Sequence, residues 1–286
     1  MARHLRNAAT RERSVLLHYH IFKNAGSTIL YILERNLKDA FVNLHGVHDE
    51  SVIAPEEIVD LVLADSTVSA ISSHHFRYPK PSACRVAFVD VCFLRHPLGR
   101  IRSLYRYARK LNSVDWLSEL ARTHDEAGFV ASVLEQRPNQ IANWQVNYLA
   151  RGGSFSHPIG PRDLEVALGV MMDITLLGVV ERFDESLVVG EFFLRWAYPD
   201  LDFAYVAQNI SAPEGHRPAG QGDLLEVCRN AWGADLFEAV IALNAWDLRL
   251  HDVALGEVQR RLHSVPAYDA RLAAFRAQAW LLVRDM

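Results

Sequence analysis

The sequence predicts an α/β fold, a three-layer parallel sheet between helices, carrying helical insertions. Three observations lead there. Short apolar runs rich in β-branched residues alternate with segments of helical periodicity. The runs are apolar almost throughout instead of alternating with polar residues, which is the pattern of strands covered on both faces. Finally, 286 residues, half of them hydrophobic, supply a core for one domain, 1–286, with insertions.

The elements follow in order. Residues 14–21 (SVLLHYHI) read as a buried strand, and residues 27–40 place Ile29, Leu33 and Leu37 at helical spacing, with the loop Phe22 to Gly26 between them. Pro55 to Ala64 opens on proline and two glutamates, a favourable helix start, and precedes a short strand at Val68 to Ser72. Arg85 to Leu94 (RVAFVDVCFL) is a further strand, followed by a helix over Pro97 to Lys110. Residues 114–172 read as a helical insertion, Ile174 to Val180 as a strand, and a helix resumes near Asp184. The Gly- and Pro-rich stretch Ala207 to Gly222 reads as a long loop, and residues 223–286 as a helical cap. Strands separated by helices require right-handed crossovers and therefore a parallel sheet, whose ligands gather at the carboxyl ends of the strands.

Composition excludes several classes. A net charge of −4 with 22% charged residues is not that of a general nucleic-acid binder. Cys84, Cys92 and Cys228 form no CxxC pair and read as reduced thiols, which points to a cytoplasmic protein. The basic start is followed by Arg11-Glu12-Arg13-Ser14 where an export signal needs an apolar stretch. Residues 166–180, the longest apolar candidate, are broken by Asp173 and Thr175 and are too short for a membrane span.

Two segments carry chemistry. Phe22-Lys23-Asn24-Ala25-Gly26-Ser27-Thr28 lies between the first strand and its helix, where backbone N–H groups, the positive helix end, two hydroxyls and a lysine converge on an anion. It is not a Walker A loop, because the lysine precedes Gly26 instead of following it. A plain strand-to-helix turn capped by Ser27 or Thr28 reads equally well from these residues alone. The second segment runs from Phe93 to Tyr105: Arg95 ends a strand, and Ser103 sits on the following helix, a guanidinium and a hydroxyl suited to a phosphate. Arg100, Arg102, Arg106, Arg109 and Lys110 read as the solvated face of that helix.

Together these segments resemble the PAPS-dependent sulfotransferases, which use 3′-phosphoadenosine 5′-phosphosulfate. Lys23 to Thr28 resembles their 5′-phosphosulfate loop, and Arg95 to Ser103 their 3′-phosphate motif with its arginine-to-serine spacing. The likeness is closest to the carbohydrate (heparan and chondroitin) branch. It extends to Ser72-Ser73-His74-His75-Phe76, to Asn143-Trp144-Gln145 and to residues 178–187 (GVVERFDESL), covering Leu16 to Leu187 in patches. Phe22 stands where the family has proline, and His74 where it has glycine.

The resemblance implies a P-loop-like nucleotide site and transfer of a sulfuryl group from PAPS to a hydroxyl acceptor of glycan type, without a metal. Lys23, Asn24, Ala25, Gly26, Ser27 and Thr28 would hold the 5′-phosphosulfate, and Arg95 with Ser103 the 3′-phosphate. Lys23 would also assist departure of the leaving group, and His75 would be the base, with its extended neighbour His74 facing away. The tethered Golgi location of eukaryotic relatives makes this untethered chain read as bacterial. Two other classes stay open: a P-loop-type nucleotide-dependent kinase and a non-catalytic nucleotide-binding protein.

Lesser signals have ordinary readings. His18 and His20 share a strand face and offer two zinc ligands without an evident third, so a core role is expected. Trp144 and Tyr148, four residues apart, suit either the core or a sugar ring. Glu181 suits a helix start and is a reserve base. Arg217 reads as an exposed arginine or a nucleotide contact, and Asn209-Ile210-Ser211 is a glycosylation sequon without meaning in a cytosolic chain.

Overall fold

A computed structural model describes residues 13–48, 51–206 and 221–284. In chain order the elements are β1 (Arg13–Tyr19), α1 (Gly26–Leu37), β2 (Phe41–Asn43), α2 (Pro55–Ala64), β3 (Ala70–Ser73), β4 (Val86–Leu94) and α3 (Pro97–Lys110). They continue with α4 (Trp116–Thr123), α5 (Glu126–Gln136), α6 (Trp144–Arg151), α7 (Pro161–Asp173), β5 (Leu176–Val179) and α8 (Phe183–Leu194). The last are α9 (Gln221–Trp232), α10 (Ala234–Leu243), α11 (Ala245–Leu262) and α12 (Tyr268–Arg284).

The fold is α/β, with five parallel strands in the order β2-β3-β1-β4-β5. β1 lies at the centre, pairing with β3 through Leu16–Ala70 and with β4 along its whole length. Every residue of β4 is buried, as are the last five of β1, which accounts for the unbroken apolar runs. From β1 the chain crosses to one side, to β2 and β3; from β3 it crosses to β4 and β5 on the other. The switch point is therefore the crevice at the carboxyl ends of β1 and β4, where open α/β sheets hold ligands.

Two local differences from the sequence reading have simple causes. Helix α1 stops at Leu37 because Lys38 has a φ of 49°, and the expected run to Ala40 tightens into a 3-10 turn. The edge strand β2 was not foreseen, since three residues carry no readable period.

The expected single domain is organised as two compact units. One combines the chain up to Leu94, Leu168–Gln208 and Ala254 onward, and holds the sheet; the other combines Arg95–Ala167 and Asn209–Val253 and is helical. Residues 114–167 of the expected insertion belong to the helical unit, and the expected cap is divided between the two after Val253.

In the sheet unit, Arg261 of α11 anchors the chain as it enters β5. Its guanidinium donates to the carbonyls of Ile174 at 2.8 Å, Thr175 at 3.1 Å and Met172 at 3.2 Å, satisfying orphan groups at the end of α7. Glu257, one turn earlier and also buried, accepts from Arg261 Nε at 2.7 Å. Removing one partner of a buried pair costs about 3–5 kcal/mol when the other is stranded. Here Arg260 still holds Glu257, so Arg261→Ala should cost nearer ~2–3 kcal/mol, the value of charged hydrogen bonds. Urea unfolding measures this, and a loss within experimental error would show that these carbonyls find solvent instead.

Candidate functional site

β1 ends at Tyr19, and the chain turns into α1 through a strained loop. Lys23 and Ala25 have φ values of 70° and 61°, left-handed for non-glycine residues, while Asn24 between them does not. Such alternation turns successive N–H groups toward one side, the geometry of an anion nest. Thr28 and Ile29 donate their N–H groups to the Ala25 carbonyl, leaving those of Gly26 and Ser27 at the open end of the helix. The Asn24 amide donates to the Phe93 carbonyl at 2.8 Å, pinning the loop to the end of β4. Asn24 thus serves the scaffold through its side chain. Thr28 is buried, Ser27 is exposed, and half-buried Lys23 places Nζ 5.4 Å from the Phe22 ring centroid.

Gly26 is required here for a packing reason. A Cβ at this position would lie 1.6 Å from His20 Nε2, because the His20 ring fills the space against the start of α1. That ring stacks on His18 at 5.0 Å and packs tilted by 31° against His74 at 3.6 Å between centroids. His18 Nδ1 lies 2.8 Å from the Ser72 hydroxyl, and His74 Nδ1 2.8 Å from the His20 carbonyl. A carbonyl can only accept, so His74 carries its proton on Nδ1 and presents Nε2 as an acceptor. Burial, reinforced by the charge of His74, pushes His18 down to about 3. Burial also pushes His20 and His74 below the usual imidazole range, with their histidine neighbours adding to it.

His74 and His75 point to different surroundings, as extended neighbours do. It is His74 that packs on the loop side, in ring contact with His20 and with Phe22 at 5.8 Å. The buried His75 turns its Nδ1 to the Ser51 carbonyl at 2.9 Å, beside Gly46. The sequence reading had expected His74 to face away.

In the helical unit, Arg95 and Ser103 are both half-buried. The Gln145 side-chain amide grips the Arg95 backbone at both ends, accepting from its N–H at 2.8 Å and donating to its carbonyl at 2.7 Å. Gln145 is in turn fixed by Asp247, whose carboxylate accepts the N–H groups of Gln145 and Val146 at 3.1 and 2.8 Å at the start of α6. Asn143 ties the same turn to α10 and α11 by donating to the Leu243 carbonyl and accepting from the N–H groups of Trp246 and Asp247. Asp247 is fully buried, and burial raises its carboxyl above the usual range against the pull of these N–H groups and Arg100.

The expected basic face of α3 is solvated only in part. Arg100 is 1% exposed, donates to the Gln140 carbonyl at 3.0 Å and lies 5.3 Å from the Trp144 ring centroid. Burial lowers it to about 10, which leaves it charged at neutral pH. Arg102 forms a two-pronged pair with Glu126 at 2.7 and 3.2 Å. Only Arg109 and Lys110 are exposed as expected. Tyr148 is buried, and the half-buried Trp144 has Arg100 at 5.3 Å and Phe155 at 5.8 Å from its ring centroid.

Glu181 lies in the 3-10 turn before α8. Arg217 and the Asn209 sequon lie outside the described residues. Among the described residues no group of three His, Cys, Asp or Glu side chains is arranged to hold a metal, and no helix is long and apolar enough to cross a membrane. A groove of about 540 Å³ lined by Arg13, Ser69, Trp196 and Tyr198 opens at the amino ends of β1 and β3, the wrong end of the sheet for the loop. Its Arg13 and Tyr198 donors are already bonded to main-chain carbonyls.

No family model matches the chain. It is similar to an uncharacterized protein of Archaeoglobus fulgidus, 28% identical over 250 residues that span 83% of this chain and 94% of that protein. A match of that span reaches past Leu187 into the C-terminal third, the part that resembled no motif.

The histidine stack makes the fold acid-sensitive. Unfolded histidine binds a proton near pH 6.5, whereas these folded imidazoles resist it to lower pH. The stability they contribute is complete above about pH 6.5 and is lost as pH falls below it toward each folded value, by at most ~1.4 kcal/mol per pH unit for each histidine. Thermal unfolding across pH should show this, with a shallower slope for His18→Asn. An unchanged slope would mean that the stack is already protonated in the native state.

Proposed function

We propose that the chain transfers a sulfuryl group from PAPS to a hydroxyl acceptor, of carbohydrate type by its motif resemblance. The observation that carries the reading is the Lys23–Thr28 loop, a left-handed turn with open N–H groups and a lysine at the carboxyl end of the central strand, on the switch point of the sheet. The residues fit an oxyanion: Gly26 and Ser27 donate main-chain N–H, Ser27 adds an exposed hydroxyl, and Lys23 adds charge. Arg95 and Ser103 take the 3′-phosphate in this reading, with Gln145 holding the Arg95 backbone still.

The alcohol oxygen attacks sulfur in line, forming the new S–O bond as the bond to the bridging phosphate oxygen breaks. Lys23 offsets the charge growing on the leaving phosphate, and a histidine Nε2 takes the alcohol proton. His75 has the motif position for that base, while the ring contacts with His20 and Phe22 favour His74. Both have Nδ1 committed to a carbonyl and so offer Nε2.

Three outcomes test the reading. PAP (3′-phosphoadenosine 5′-phosphate) should raise the melting temperature without metal, and Lys23→Ala should lower turnover more than PAP affinity. Stabilisation by Mg²⁺-ATP instead would favour a kinase, and binding without sulfate transfer to any glycan a non-catalytic protein. PAPS should bind about ten- to a hundredfold more tightly than adenosine 5′-phosphosulfate, a preference that Arg95→Ala removes.

For the base, alanine variants of His74 and His75 compared in turnover and PAP affinity assign the role. The true base should lose about 10²–10⁴-fold in turnover at nearly unchanged affinity. Two active variants would move the role to another group, Glu181 first.

A further inference from the structure

The His18–His20–His74 stack lies against the first residue of α1, and among the described residues the ionisable groups that face it are bases. His18 and His20 face one another from β1; Lys23 comes from the loop; His74, with His75 and Arg77 beside it, comes from the turn after β3; and exposed His45 comes from the segment after β2. No carboxylate is among these groups of the described residues. The positive end of α1, at Gly26 against the His20 ring, adds to the same sign. Beyond the bonds of His18 to Ser72 and of His74 to the His20 carbonyl, ring packs on ring at 5.0 and 3.6 Å.

We propose that oxyanion binding at the Lys23–Thr28 loop is coupled to proton uptake by the His18–His20–His74 stack, the bound sulfate or phosphate group acting as its counter-ion. The inference rests on the oxyanion-site reading of the loop and adds to it a titrating partner. His20 takes the proton, because its ring holds the atoms nearest to a side chain at Gly26, where the N–H donors to the anion begin. Reciprocity then requires that a proton on His20 tightens anion binding by the factor with which the anion favours the proton. Acid accordingly strengthens nucleotide binding while it takes the proton acceptor away from the reaction, so the two have opposite pH dependence.

Inorganic sulfate is the clean probe, since it stays a dianion across the range in which histidine titrates. Calorimetric titration of the full chain with sulfate between about pH 5.5 and 8, in two buffers of different ionisation enthalpy, reads affinity and proton uptake together. Affinity should rise as pH falls, by up to about tenfold per pH unit, with uptake approaching one proton per sulfate. PAP should show the same trend on top of the ionisation of its own phosphates. His20→Asn should still bind sulfate but with a flat pH dependence. Should that variant fail to fold, the ring resonances of wild-type histidines give the answer: sulfate must raise the titration midpoint of the stack. Sulfate binding without pH dependence or proton uptake, or a dependence that persists in His20→Asn, overturns the coupling and leaves the anion site standing. Absence of sulfate and PAP binding at every pH overturns the anion site and the coupling with it.

Discussion

The contact on which the sheet unit's candidate site depends is that of the His20 ring with Gly26. β1 delivers the chain to the switch point of the sheet, and α1 has to start there for its N–H groups to face the crevice. With any side chain at position 26 the imidazole would have to leave, and with it the stack that carries His74. The left-handed residues Lys23 and Ala25 follow from the same demand, since so short a turn between strand and helix must reverse its handedness twice. The strain is held by long-range bonds, above all that of Asn24 to Phe93.

A similar device recurs two residues further along the chain. Phe93 offers its carbonyl to the Asn24 amide in the sheet unit, and Arg95 exchanges both main-chain groups with the Gln145 amide in the helical unit. A neutral amide suits both positions. It satisfies main-chain groups that the sheet ladder leaves without a partner, and it does so without adding a charge. The one buried carboxylate in this chain of contacts, Asp247, is kept one step removed and neutralised by N–H groups at the start of α6 and by Arg100.

The parallel sheet was legible because burial on both faces writes itself into the sequence as unbroken apolar runs, and β4 reads that way from Val86 to Leu94. The helix bounds Pro55–Ala64 and Pro97–Lys110 were legible because proline at the first turn fixes the start chemically. Long-range polar contacts left no such mark. Nothing local distinguishes Asp247 from other acidic residues of a helix start, and its role appears only when α11 meets α6, about a hundred residues apart. Arg100 looked solvated because its neighbours Arg102 and Arg106 share its charge, but one helix turn buries it while leaving Arg109 in water. The orientation of His74 and His75 was also beyond a period-two argument, which says that neighbours oppose each other but not which of them meets the loop.

The missed residues have a common physical character. Each is a polar group buried in the core that holds backbone or a titrating ring in place, and such groups are costly to bury unless the contact is specific. The histidine stack is the extreme case among the described residues: three imidazoles kept neutral, with like charges around them and a glycine reserved for their ring. Three aliphatic side chains would fill the same volume more stably and without sensitivity to acid. Their replacement by imidazoles is intelligible where a negative charge arrives beside them, as the oxyanion proposed for the Lys23 loop would.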